Sequence, residues 1–226
     1  MNIYKIVFIR HGESLANIEN RFSGWLDVDL TNKGYNEAYK AGLKLKKLNY
    51  KFNLCYTSML KRAIKTAWSV LDGTNLIHIP IIKSFKLNER HYGDLSGLNK
   101  IEGLKKYGKN NIFSWLNKYD KCPPPINKYK YNNLYKKYKI LNINKSKIPY
   151  CESLNDVLKR VLKIWNSILK KIKLKNILIV AHSNVLKILT KFIDKNADEK
   201  IELIPNTTPI IYEFDENLNK LRNYLI

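Results

Sequence analysis

The sequence predicts an α/β fold, with a mostly parallel central sheet and helices on both faces, in one domain spanning residues 1–226. Three observations predict it. Ile6-Val7-Phe8-Ile9 and Ile177-Leu178-Ile179-Val180-Ala181 are short apolar runs, rich in branched side chains, that read as buried strands. Segments of helical period separate the candidate strands. The two apolar runs lead into chemistry at the same end: Arg10-His11-Gly12 after the first, His182-Ser183-Asn184 after the second. In open α/β sheets ligands bind outside the carboxyl ends of the strands.

Taken in order, the first strand is followed by a long loop, Glu13 to Asp29, with neither helical nor strand period and with Gly24 inside it. Long loops in compact domains are usually functional. Ser23, Gly24 and Asn17 offer hydroxyl, backbone N–H and amide groups to a carboxylate or phosphate. Thr31 caps a helix reaching about Asn49, with Ala38, Leu43 and Leu45 among its apolar positions. Leu54-Cys55-Tyr56-Thr57 is a second buried strand. Ser58 then starts a helix that carries Arg62 one turn in, where a cation opposes the helix dipole and a bound anion would explain it. Leu76 to Ile82 reads as a third strand around His78. Leu87 to Leu98 holds Glu89, Arg90, His91 and Tyr92, closed by Gly93 and Gly97, and Lys100 starts a helix toward Tyr107. A further helical piece covers Asn111 to Tyr119. Pro123-Pro124-Pro125 marks the next stretch as a surface connection.

Ser153-Leu154-Asn155-Asp156 is a capping box. Behind it Leu154, Val157, Leu158, Val161, Leu162, Trp165, Ile168, Leu169 and Ile172 form one helical face, so Trp165 is core. After the strand at Ile177–Ala181, Ser183 and Asn184 open a helix whose N-terminus can bind an anion. Ile210 to Phe214 is the last strand expected.

Composition bounds the rest. A chain of 226 residues buries roughly 70% of its unfolded surface and needs no disulfide or metal to hold its core. Cys55, Cys122 and Cys151 lack metal-ligand spacing and read as free thiols in a reducing cytosol. No leader pattern precedes the first strand and no apolar run spans a membrane, so a cytoplasmic protein without membrane contact is expected. The net charge of +22 comes from scattered lysines on a solvated surface. One stretch differs: between Lys121 and Pro149 there is no acidic residue, and lysines interleave with Tyr129, Tyr131, Tyr135 and Tyr138. Such a pattern can bind single-stranded nucleic acid. The three prolines at its start mark it as a surface connection instead, which argues against a nucleic-acid partner.

Phosphoryl transfer needs a nucleophile, cations around the phosphate and an acid for the leaving oxygen. His11 can be the nucleophile, since histidine forms covalent intermediates. Arg10, Arg62 and His182 would hold phosphate oxygens, and Glu89 is the candidate acid and base. A metal site built from His11, Glu13 and His182 is disfavoured, because the neighbouring arginines would repel a divalent cation.

Five blocks in order carry a family resemblance: Arg10-His11-Gly12-Glu13, Glu19-Asn20-Arg21-Phe22-Ser23-Gly24-Trp25, Tyr56-Thr57-Ser58-Met59-Leu60-Lys61-Arg62-Ala63, Leu87-Asn88-Glu89-Arg90-His91-Tyr92-Gly93 and Val180-Ala181-His182-Ser183-Asn184. Together they resemble the cofactor-dependent phosphoglycerate mutases of the histidine phosphatase superfamily. The resemblance implies the same roles for Arg10, His11, Arg62, Glu89 and His182. It also implies substrate contacts for Ser23, Gly24, Arg90, Tyr92, Lys100 and Asn184. His91 and Ser183 lie inside the same blocks and complete the candidate set. It implies 2,3-bisphosphoglycerate as phosphoryl primer, no metal, a small phosphorylated substrate, and a homo-oligomer (dimer or tetramer). The alternative within the family is a phosphatase of a small metabolite or phosphoprotein.

Four departures from the pattern bear on that choice. Leu116 and Asn117 stand where the family has two arginines for a second phosphate, with Lys118 just beyond. Losing two charged hydrogen bonds costs roughly 3–6 kcal/mol, about two to four powers of ten in affinity. Ser183 replaces a glycine, Pro205-Asn206-Thr207 replaces Pro-Thr-Gly, and the sequence ends at Tyr224-Leu225-Ile226 where the family continues into a tail over the site.

Overall fold

The computed structural model describes residues 3–195 and 204–226. In chain order the elements are β1 (Tyr4–Arg10), α1 (Leu15–Ile18), α2 (Asn32–Lys47), β2 (Leu54–Thr57), α3 (Lys61–Thr74), β3 (Ile81–Lys83), α4 (Lys100–Tyr107), α5 (Lys109–Asn117), α6 (Lys128–Ile140), α7 (Leu154–Ile172), β4 (Ile177–Ala181), α8 (Ser183–Asp194), β5 (Ile210–Phe214) and β6 (Lys220–Leu225). The strands form one sheet in the order β3-β2-β4-β1-β5-β6. The pairings β3–β2, β2–β4 and β4–β1 are parallel; β1–β5 and β5–β6 are antiparallel. The mostly parallel sheet expected from the sequence is the one observed.

Strand alternation sorts the apolar residues onto two faces. Ile6, Phe8, Tyr56, Ile177 and Ile179 pack against Val157, Val161, Trp165 and Ile168 of α7 and Val185 and Leu189 of α8. Val7, Ile9, Cys55, Leu178 and Val180 pack against Ala38, Ala41 and Leu45 of α2 and Ala67, Val70 and Leu71 of α3. Each fully buried side chain of this size contributes about 1.5–3 kcal/mol. The helices α2 and α3 come close because both carry glycine at the contact. A Cβ on Gly42 would strike the Val70 carbonyl, and one on Gly73 the Tyr39 carbonyl. Trp165 is core as expected, beside Phe8 and Phe214.

Several expectations need correction. One helical turn, α1, interrupts the 13–29 loop, because Asn17 Oδ1 accepts from the Ser14 N–H and hydroxyl and closes the turn. Leu43 is exposed, since Ala38, Ala41 and Leu45 carry the buried face of α2. The helix expected from Ser58 begins at Lys61. The third strand shrinks to Ile81–Lys83: Asn75 takes a left-handed conformation (φ 62°) that ends α3, and the Leu76 N–H folds back onto the Leu71 carbonyl. His78 therefore lies in a turn. Ile210–Phe214 is not the last strand, because β6 adds an edge in which Lys220, Arg222 and Asn223 break up any apolar run.

The largest correction is the 121–149 stretch. It is not a surface connection but holds α6, with Tyr131 and Tyr138 buried beside Trp25, Ile126, Ile143 and Ile148. The tyrosines recur at helical spacing and form a small core of their own. Tyr138 donates nothing to solvent: its hydroxyl accepts from Asn88 Nδ2 at 2.8 Å. Only Tyr129 of the four stands fully in solvent.

Candidate active site

The sheet order brings the two histidines together. β1 and β4 are parallel neighbours in the register Arg10 opposite Ala181, so both chains leave the sheet at one level. The His11 N–H donates to the Ala181 carbonyl (3.0 Å), and the rings of His11 and His182 lie 5.0 Å apart. β2 flanks β4 on its other side, and Ser58, one residue past it, meets His182 Nε2 through its hydroxyl at 2.7 Å. The segment at Asn206 closes the far side. Asn206 Nδ2 donates to the His11 carbonyl (2.6 Å), and the Thr207 N–H donates to the Arg10 carbonyl (3.0 Å). Thr207 holds φ 55°, the left-handed region that suits glycine, which is the residue the family pattern has there.

His11 is 4% exposed, and its protonation follows from its partners. Nδ1 lies 2.8 Å from the Gly12 carbonyl, which can only accept, so Nδ1 carries the proton. Burial, and then the charge of Arg62, push the imidazole well below its ordinary pKa; the Gly12 carbonyl opposes this and Arg10 adds to it. The ring is neutral at physiological pH, and Nε2 presents a free lone pair. Gly12 lies flat against α2, where a Cβ would strike the Gly34 carbonyl, and its N–H donates to Thr66 Oγ1 at 3.0 Å. His182 is held neutral in the same way, by burial first and then Arg62.

The cations and Glu89 converge on this pair. Arg10 and Arg62 both feel the Glu89 carboxylate, and Arg10, Arg62 and Glu89 all bear on Tyr92 or are borne on by it. Burial and Glu89 raise Tyr92 to about 12, so it stays a phenol; its oxygen accepts from Asn184 Nδ2 at 2.8 Å. The guanidinium of Arg90 lies 5.9 Å from the Tyr92 ring. Arg62 is fully buried, but its terminal nitrogens donate to the carbonyls of Leu26 (2.9 Å) and Gly24 (2.8 Å). They hold the 24–26 loop in place. Among the described residues, four buried polar atoms here have no partner: Arg10 Nε, Arg62 Nε, Arg90 Nη1 and His182 Nδ1. Orphaned buried donors are costly, and a ligand carrying several acceptor oxygens would satisfy them together.

Other predicted residues fall around this cluster. Gly24 is buried with φ 49°, and Ser23 beside it is half-buried. Ser183 is the first residue of α8, half-buried, and its backbone does not require glycine. Asn17 and Lys100 are exposed, and Asn17 Oδ1 is committed to Ser14. His91 belongs elsewhere: its Nδ1 accepts from the Gly93 N–H, and its ring faces Trp25, with Glu152 and Arg160 nearby. Glu13 pairs with Thr31 and Lys33 at the surface, away from any metal role.

Two residues were missed. Lys187 sits one turn beyond Ser183, half-buried; burial lowers it, Arg10 lowers it further, and Glu89 opposes, which places its ammonium among the site charges. Arg160 of α7 grips Glu152 through both carboxylate oxygens (2.7 and 2.8 Å) and donates to the carbonyls of Lys86 and Asn88 (2.9 Å each). It thereby props the segment that carries Glu89. Its signal was a charge at helical spacing between Val157 and Ile164, inside the apolar face of α7.

Three buried neutral histidines make stability depend on pH. Burial lowers His91 to about 4, and His11 and His182 are also depressed. Their folded pKa values lie below the unfolded value of about 6.5, so the unfolded chain binds more protons as pH falls. This stability is full above about pH 6.5 and is lost as pH drops toward the folded values. We expect Tm to fall between about pH 7.5 and about pH 5, and less so in His91→Gln. Identical slopes in the two proteins would contradict this.

Paired strand-end histidines ringed by buried arginines and one carboxylate define a class, the α/β enzymes that handle phosphoryl groups. Within it, the chain belongs to the histidine phosphatase superfamily (branch 1), whose family model matches residues 6–140 and 131–225. Solved structures of the same fold include YhfR of Bacillus stearothermophilus, 26% identical over 96% of this chain and 94% of that one, with a TM-score of 0.70. A mycobacterial glucosyl-3-phosphoglycerate phosphatase is 19% identical over 99% and 97%, with a TM-score of 0.73. A phosphoglycerate mutase of Bacillus anthracis is 21% identical over 100% and 92%, with a TM-score of 0.72. No helix among the described residues is long and apolar enough to cross a membrane.

Proposed function

We propose that the protein transfers phosphoryl groups through a phosphohistidine at His11, as a phosphoglycerate mutase interconverting 3- and 2-phosphoglycerate. The observation that carries this is the neutral His11 with a bare Nε2, set among Arg10, Arg62 and His182 with Glu89 alongside. Nε2 attacks phosphorus, the partnerless donors of Arg10, Arg62 and His182 take up the oxygens, and Glu89 gives the leaving oxygen its proton and recovers it. Ser23, Gly24, Arg90, Tyr92 and Asn184 orient the rest of the substrate.

For 2,3-bisphosphoglycerate the fit is uneven. When bound it would supply the phosphoryl group that His11 carries, and the orphaned donors suit one phosphate. The positions for the second phosphate do not suit it. Leu116 packs into an apolar cluster with Phe22, Leu95 and Ile112, Asn117 donates to the Phe113 carbonyl, and Lys118 is exposed. Lys187, half-buried and feeling both Arg10 and Glu89, is the better replacement cation. This asymmetry favours a second reading, in which water takes the phosphate from His11 and the protein is a phosphatase of a small phosphorylated metabolite. The names of its structural neighbours include both activities.

A phosphorus NMR time course with 3-phosphoglycerate, with and without 2,3-bisphosphoglycerate, separates the two. Rapid 2-phosphoglycerate with little free phosphate supports the mutase; free phosphate without isomerisation supports the phosphatase; neither product, from folded protein, overturns both. In the same assay Lys187→Met should raise KM about tenfold or more, the worth of one charged hydrogen bond, with a smaller change in kcat. An unchanged KM would remove Lys187 from the site.

A further inference from the structure

We propose that Cys122 and Cys151 form a dithiol modification site that a peroxide closes to a disulfide, changing the hold on Arg90. The chain leaves toward α6 and returns from it along two antiparallel segments. The Asn155 N–H donates to the Tyr119 carbonyl (3.0 Å) at one end, and the Ile126 N–H donates to the Tyr150 carbonyl (3.0 Å) at the other. Cys122 and Cys151 lie between these two bonds, one on each segment, and their side chains interact with each other. Arg90 clasps the same point: Nε donates to the Glu152 carbonyl (2.7 Å) and Nη2 to the Lys121 carbonyl (2.9 Å). Each cysteine is thus bonded to a residue whose carbonyl holds Arg90. Both cysteines are partly exposed, whereas Cys55 is fully buried.

The Cys122 thiol holds Cys151 below its ordinary pKa, with the Arg90 guanidinium adding to this, while the bond to Cys151 and burial raise Cys122, so Cys151 is the sulfur that ionises. The Cys151 thiolate attacks one oxygen of hydrogen peroxide, giving a sulfenic acid and, after proton uptake, water. The Cys122 thiol then attacks that sulfur; the S–S bond forms and a second water leaves. Two electrons pass from the sulfurs to the peroxide. The bond draws the two segments together and moves the carbonyls of Lys121 and Glu152. The effect on substrate rests on the binding role proposed for Arg90; the disulfide itself does not.

The test treats the purified protein with hydrogen peroxide, alkylates it, digests it without reduction and reads the peptides by mass. We expect one pair joined through Cys122 and Cys151, lighter by two hydrogens and separated by dithiothreitol, with Cys55 still alkylated after unfolding. KM for 3-phosphoglycerate should shift severalfold on oxidation, return on reduction, and stay fixed in Cys122→Ser. Sulfinic or sulfonic products without the cross-link would overturn the site. A cross-link with unchanged KM, where Arg90→Lys does alter KM, would overturn its link to Arg90. If Arg90→Lys is also silent, the substrate role of Arg90 is what fails.

Discussion

His11→Ala loses phosphoryl transfer by a factor on the order of 10⁴ or more, because removing a covalent nucleophile leaves only the residual effect of the surrounding charges. The loss falls on kcat. The donors of Arg10, Arg62 and His182 remain, so the variant still binds an inorganic phosphate analogue. Folding should survive, since the His11 side chain makes one hydrogen bond, to its neighbour's carbonyl. Below about pH 6.5 the variant should lose less stability than the parent, as one depressed histidine is gone. Steady-state kinetics together with thermal unfolding checks both statements. Retained turnover would mean that the phosphoryl group never rests on His11.

Arg160→Met destabilises the protein by about 3–5 kcal/mol, the cost of leaving one member of a buried ion pair without the other. Glu152 is left as a carboxylate 4% exposed, and the carbonyls of Lys86 and Asn88 lose their donor. For a chain of this length that corresponds to a drop in Tm of roughly 6–20 °C. The damage reaches the site, since Trp25, which donates to the Glu89 carbonyl at 2.6 Å, also stacks under the Arg160 guanidinium. Urea unfolding measures the stability. Arg160→Met with Glu152→Gln should recover part of it, because the stranded charge is removed. A loss under about 1 kcal/mol would show that the pair does not hold this segment.

The sheet centre and the strand-end histidines were legible because the physics there is local. A four- or five-residue apolar run has few ways to be satisfied, and the residues directly after it must sit at a sheet edge. Arg90 and Tyr92 were legible only through the family pattern, since an irregular segment carries no period. The failures share a cause. Lys187 looks like an ordinary helix charge, and only the packing of α8 shows that it turns inward; Arg160 differs, its place inside the apolar face of α7 being its signal. The lysines of α6 masked Tyr131 and Tyr138, whose spacing was helical all along. β6 mixes exposed Leu221 and Leu225 with Lys220, Arg222 and Asn223, so no apolar run marks it. His91 carries the right chemistry in the right block, but the turn at Gly93 directs its ring to Trp25. The departure at Leu116 and Asn117 was visible in the sequence, and the structure adds its reason: the leucine completes an apolar cluster.

The mechanism stands on His11 Nε2 carrying the phosphoryl group. The most direct test is to mix the protein with 2,3-bisphosphoglycerate, quench in alkali within one turnover, digest, and locate the added phosphoryl mass. It should appear on the peptide holding His11, labile to acid, stable to base and absent from His11→Ala. Turnover with no phosphorylated His11 peptide, or with the group on another residue, would contradict the mechanism.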